Sequence, residues 1–216
     1  MLLSLLFETL QENLLETSWI ELIAVLFGLF SVWFARQENI LVYPTGIISV
    51  AIFVYICFDV QLYADAGIYL FYFIMSIYGW IMWSKKSDVP PLRISSCNRK
   101  DWLFSVGFFA ISAGVIYLLL VLFKKNDAEY WMSAVPYIDI FTTAIFVVAM
   151  LLMAMKKIEH WILWIVGDVV SVPLYAHKGL VLTGFQFFVF LLIAVAGYMA
   201  WKKKLEAMQN PDHPEH

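Results

Sequence analysis

Long apolar runs alternate with short polar breaks along this chain, and the runs are of bilayer length. They predict transmembrane helices at 18–36, 40–58, 64–84, 102–123, 137–155, 160–177 and 180–201, each near the roughly 20 residues that cross a hydrocarbon core. Most breaks are only a few residues long, so consecutive helices must run antiparallel as neighbours. Two longer connections flank the fourth run: Ser84 to Asp101, with Pro90-Pro91 inside it, and Lys124 to Pro136. They set that helix apart as a linker between two triplets. Ahead of the first run, Leu3, Leu6, Phe7, Leu10 and Leu14 keep helical spacing. Residues 1–17 are therefore expected to form a short amphipathic helix, lying on the membrane or packed on the bundle. Glu8, Glu12 and Glu16, with no basic residue before them, exclude a signal peptide there.

The two triplets repeat each other at a constant offset of 118 residues. Trp19-Ile20-Glu21 returns as Tyr137-Ile138-Asp139, and Gly79-Trp80-Ile81-Met82-Trp83-Ser84-Lys85-Lys86 as Gly197-Tyr198-Met199-Ala200-Trp201-Lys202-Lys203-Lys204. One intervening helix restores the orientation, so the copies are parallel. The expected organisation is an amphipathic helix (1–17), a three-helix repeat (18–84), a linker with the fourth helix (85–136), a second three-helix repeat (137–204) and a polar tail (205–216). The fold class is an all-α integral membrane protein with seven transmembrane helices in a 3+1+3 parallel duplication. Duplicated halves in a membrane commonly enclose a transport site.

Composition agrees with this class. Hydrophobic residues make up 62% and charged residues 14% of the chain, more apolar surface than a water-soluble domain of this size has to bury. Of the 14 Lys and Arg, all but Lys124, Lys125 and Lys178 fall on one side of the predicted spans. That side is cytoplasmic by the positive-inside rule, which places the N-terminus outside and the C-terminus inside. Cys57 and Cys97 form neither a CxxC pair nor a disulfide framework.

Candidate chemistry concentrates in the sixth run. A carboxylate at mid-bilayer is costly, about 2.5–3.5 kcal/mol on insertion scales, and Asp168 lies about 12 Å into its helix. Trp161, Trp164, Asp168, Ser171 and Tyr175 share one helical face. Asp65, Tyr69, Tyr72, Ser76 and Trp83 share a face of the third run, while Glu21 and Asp139 sit near outer helix ends. Four acids, aromatic faces and no intramembrane Lys or Arg suit a flat, cationic, ring-containing solute. Blander readings stand beside these. Trp83 and Trp201 read as interface anchors, Glu21 and Asp139 as capping or hydrogen-bonding groups, and Asp168 as a carboxyl joining two helices. Gly79 and Gly197 read as sites of close helix packing.

Several activities are excluded. The last run has no lysine for a retinal Schiff base. Ile165-Val166-Gly167-Asp168 is not the Gly-x-Gly-Asp of an intramembrane aspartyl protease, and no phosphate-cradling loop with a lysine is present. His160, His177, His213 and His216 have no metal-ligand spacing. No enzyme activity, cofactor, metal or nucleic-acid partner is expected.

The chain resembles the PnuC-type bacterial vitamin transporters, relatives of the SWEET sugar facilitators. The likeness rests on Trp161-Ile162-Leu163-Trp164 through Asp168 to Ser171, on Gln61-Leu62-Tyr63-Ala64 and on Ser76-Ile77-Tyr78-Gly79-Trp80, and covers nearly all of 18–204. It implies a homotrimer in the bacterial inner membrane with one central site per protomer. It also implies facilitated diffusion of an unphosphorylated vitamin that a cytosolic kinase then traps. Trp161 and Trp164 would wall the ring and Asp168 would pair with its cation or amine. Tyr43, Ser49, Asp65, Tyr69 and Gln186 would line the rest. Nicotinamide riboside carriers of this type have Asn where this chain has Asp168, which favours thiamine as the expected substrate, with nicotinamide riboside the alternative. A proton-coupled transporter and a non-transporting scaffold or receptor remain the other classes.

Overall fold

The computed structural model describes residues 18–59, 63–84, 92–124, 126–177 and 181–209, with backbone only at 63–65 and 181–182. Eight helices lie in these residues: α1 (Trp19–Arg36), α2 (Val42–Asp59), α3 (Tyr63–Ser84), α4 (Arg99–Lys124), α5 (Ala128–Met132), α6 (Val135–Ala154), α7 (Glu159–His177) and α8 (Val181–Gln209). The expected amphipathic helix over 1–17 lies outside the described residues. Two features differ from the expected pattern. The five-residue α5 was not anticipated, and α8 runs through Gln209, so the segment expected to be a polar tail begins as helix.

Local chemistry sets the helix ends. The Ser18 hydroxyl caps α1 by accepting from the Glu21 amide at 3.3 Å. A reciprocal cap starts α4: the Asn98 side chain accepts from the Lys100 and Asp101 amides, and the Asp101 carboxylate accepts from the Asn98 amide. Pro44 and Pro136 fall in the first turns of α2 and α6, where an absent N–H breaks no helical bond.

Six helices are long and apolar enough to cross a membrane: α1, α2, α3, α4, α6 and α8. The protein is thus an all-helical, multi-pass membrane protein. Besides the five-residue α5, the helix missing from that set is α7, whose 19 residues include Glu159, His160, Asp168 and His177. Its shortfall in hydropathy arises from the same residues that make it chemically interesting.

Packing forms a closed ring. Helix α1 packs on α2, α2 on α3, α3 on α6, α6 on α7, α7 on α8, and α8 back on α1, while α4 lies outside against α6 and α3. Exchanging α1, α2 and α3 with α6, α7 and α8 leaves this neighbour pattern unchanged. Within the ring α2 and α7 are the middle helices of their triplets. Helix α6, covered by α3, α4 and α7, is buried without interruption from Ala144 to Met150.

The 118-residue offset reappears as paired contacts. The Tyr43 ring fills the space where a side chain at Gly79 would sit and meets Trp83 edge-on at 5.2 Å. The Trp161 ring fills the same space at Gly197 and meets Trp201 edge-on at 5.9 Å. These glycines therefore serve close packing. Trp201, read from the sequence as an interface anchor, is fully buried, and its Nε1 donates to the Ala35 carbonyl at 3.0 Å. Trp83 is half-buried and donates to the Ala154 carbonyl at 3.2 Å. The last carbonyls of α1 and α6 have no partner within their own helices, and these indoles reach them instead of the lipid headgroups.

Candidate functional site

Helix α7 carries the candidate site, because its position between α6 and α8 turns one face inward. Asp168 and Ser171 are each only 1% exposed. Neither carboxylate oxygen of Asp168, nor the Ser171 hydroxyl, has a hydrogen-bond partner among the described residues. Buried polar atoms are ordinarily satisfied, and an unpaired carboxylate in a low dielectric is among the costliest of them. A carboxyl whose task was to join two helices would show its partner; Asp168 does not.

Aromatic rings run beside this pair. Trp164 stacks on Phe146 of α6 at 5.1 Å, Phe146 on Phe187 of α8 at 5.9 Å, and Phe187 on Tyr175 at 5.0 Å. Both ends of the column belong to α7, about three turns apart, so the column spans the stretch holding Asp168 and Ser171. Gly167 admits the Phe146 ring, since a side chain there would overlap it. Such faces attract a ring cation, by about 0.5–2 kcal/mol depending on desolvation.

The other sequence-predicted residues fall in several places. Trp161 lies in an aromatic cluster with His160, Trp201 and Gly197, against which Trp164 also packs. The Trp161 Nε1 and the hydroxyl of buried Tyr43 have no hydrogen-bond partner among the described residues. Ser49 is buried, and its hydroxyl donates to the Ala24 carbonyl at 2.8 Å, which ties α2 to α1. Tyr69 stacks on Phe53 at 4.9 Å and meets Tyr72 edge-on. Gln186 is half-buried on α8. The Asp65 side chain lies outside the described residues. At the periphery, Asp139 accepts from the Tyr130 hydroxyl at 3.2 Å. Among the described residues no cluster of His, Cys, Asp and Glu could hold a metal ion.

Sequence reasoning missed Phe146 and Phe187. Each is one of several large apolar residues in its stretch of helix, and nothing in their spacing distinguishes an interior ring from a lipid-facing one.

In its arrangement this is the fold of a helical membrane transporter. It superposes on the crystal structure of the Vitamin B3 transporter PnuC with a TM-score of 0.67, covering 93% of this chain and 90% of that one at 24% identity. The chain belongs to the nicotinamide mononucleotide transporter family, whose sequence model matches residues 18–203. It is thus a membrane vitamin transporter of the PnuC family rather than an enzyme. Among its relatives is the nicotinamide riboside transporter PnuC of Escherichia coli (strain K12), 28% identical over 205 residues and 86% of each chain. Another is the nicotinamide riboside transporter PnuC of Neisseria mucosa, 25% identical, covering 86% of this chain and 73% of that one. The riboflavin/roseoflavin transporter RibM of Streptomyces davaonensis is 22% identical, covering 85% of this chain and 84% of that one.

Proposed function

We propose that this protein carries nicotinamide riboside across the bacterial inner membrane by facilitated diffusion, with a cytosolic kinase trapping the product. Buried Asp168, unpartnered beside the aromatic column, carries the reading. Trp164 and Phe146 offer π-faces to the pyridinium ring, while Asp168 and Ser171 accept from the carboxamide or ribose hydroxyls. Tyr43, Asp65, Tyr69 and Gln186 complete the walls and Trp161 closes the floor, while the Ser49 hydroxyl stays bonded to Ala24 as part of the frame. A carboxylate at the centre, with no Lys or Arg in the middle of any span, repels a phosphate and so favours the riboside over the mononucleotide. The relatives named above shift the preference away from thiamine, since two are nicotinamide riboside transporters and none is named for thiamine. Thiamine is the second reading, favoured by Asp168 itself, which can accept from an aminopyrimidine.

The proposed topology has seven crossings in the 3+1+3 arrangement, N-terminus outside and C-terminus inside, in a homotrimer. Helix α7 is the seventh: its 19 residues span roughly 28 Å, and α6 and α8 flank it. Titrating the detergent-purified protein with nicotinamide riboside, its mononucleotide, thiamine and riboflavin tests the assignment. Nicotinamide riboside should bind tightest. Tighter thiamine binding would reverse the preference, and no binding by any of the four would refute the site.

A further inference from the structure

The chain has two residues other than glycine with left-handed backbone among those described, Glu38 (φ 60°) and Lys156 (φ 51°). They lie 118 residues apart and touch: Lys156 Nζ is 2.7 Å from Glu38 Oε1. Each is the residue just past the C-cap of an equivalent helix. After α1, the Glu38 amide donates to the Ala35 carbonyl and the Asn39 amide to that of Phe34; after α6, the Lys156 amide donates to Met153 and the Lys157 amide to Leu152. This bond pattern usually places glycine at the left-handed position. Here both positions hold long charged side chains instead, and those side chains meet across the boundary between the two triplets.

The surroundings make the meeting a closure. Lys204 of α8 also reaches Glu38, at 3.2 Å, and donates to the Gln37 carbonyl. The Lys156 ammonium lies over the Trp83 ring, 4.5 Å from its centroid. Above them Tyr43, Trp83, Trp201, Trp161 and His160 form a continuous aromatic layer between Asp168 and this end of the bundle. The two corners are not held alike. The second is strapped by the loop before α4: Ser95 exchanges backbone bonds with Lys156 and Ile158, Lys157 pairs with Asp101 at 2.9 Å, and the Cys97 amide donates to Glu159. No described residue of that loop bonds to Glu38, whose carboxylate meets Lys156 and Lys204.

We propose that Glu38, Lys156 and Lys204 form a charged latch that holds the inner end of the pathway shut. The unstrapped corner at Glu38 swings away from the anchored corner at Lys156 when that end opens. The latch rests on the reading of this bundle as a transporter, but its test uses no substrate. In a background with Cys57 and Cys97 replaced by Ala, Ala194→Cys places a thiol in the buried inner cluster. A charged, membrane-impermeant maleimide is then applied from the C-terminal side. Glu38→Gln should speed alkylation about tenfold, the factor given by about 1.4 kcal/mol of lost closed-state stability. Lys156→Met should have a smaller effect and Lys204→Met the smallest. The charge exchange E38K/K156E, made with K204Q to remove the clash, should return the rate toward the parent's. It serves equally should Glu38→Gln fail to fold, which melting curves of each purified variant reveal. Parent-like rates in Glu38→Gln and Lys156→Met, or a charge exchange that labels as fast as the broken pair, would overturn the latch.

Discussion

Helices α2 and α7 occupy equivalent places in the two triplets and end in the same way, yet they differ at mid-membrane. At the end that carries Tyr43 and Trp161 the contacts Tyr43–Gly79–Trp83 and Trp161–Gly197–Trp201 correspond member by member. One to two turns further in, the bulk has changed sides. In the first triplet Gly28 of α1 faces the Ser49 hydroxyl, and that hydroxyl is bonded to Ala24. At the positions 118 residues later, Phe146 of α6 faces Gly167 of α7. Val50 of α2 corresponds to Asp168. At this level the middle helix of the first triplet satisfies its Ser49 hydroxyl within the protein; that of the second leaves a carboxylate and a hydroxyl unpaired beside a ring supplied by its neighbour. The shared contacts are framework, and the departures from them gather at the proposed site.

The shared half of this comparison can be broken most severely. Gly79→Leu and Gly197→Leu should each destabilise the protein by about 1–3 kcal/mol or more, because a side chain there overlaps an aromatic ring. Melting curves of the purified variants check this, and a large effect at only one position would break the equivalence of the two ends. The unequal half is tested by Phe146→Leu, which removes the ring stacked on Trp164. It should weaken nicotinamide riboside binding by about 0.5–1.5 kcal/mol and leave the fold intact, whereas Gly28→Ala in the equivalent place should not change affinity. The smallest effect concerns the strap on the second triplet, which has no counterpart on the first among the described residues. Burial, aided by Glu159, pushes the Cys97 thiol up to about 12, so at pH 8 it is protonated and should react slowly with maleimide. Asp101→Asn, which removes the partner of Lys157 and a carboxylate that helps keep the thiol protonated, should quicken that reaction; an unchanged rate would mean that the strap does not shield the thiol.

Much of the framework was legible in the sequence because it depends on local pattern. Apolar runs gave the helices, and the repeated Gly-aromatic-Trp ends gave the offset between triplets. Asp168 stood out because a carboxylate inside an apolar run is rare. Phe146 was illegible: α6 is buried on nearly every side, so its ring has no polar neighbour to mark which face it serves. Trp83 and Trp201 were misread as anchors because position near a helix end predicts a headgroup contact, while their carbonyl partners lie 71 and 166 residues away. The pairing of Glu38 with Lys156 was equally out of reach, since neither residue is glycine and left-handed backbone leaves no mark in such a sequence.

The central claim is that Asp168 and Ser171 of α7 serve a ligand, whereas Ser49 at the equivalent level of α2 serves the fold. Titrating nicotinamide riboside into the parent, Asp168→Asn and Ser49→Ala tests it most directly. Asp168→Asn should weaken binding roughly ten- to hundredfold, as loss of a charge-assisted hydrogen bond does. Ser49→Ala should bind like the parent and melt earlier. Equal affinity in Asp168→Asn and the parent, or a loss in Ser49→Ala as large as that in Asp168→Asn, would contradict the account.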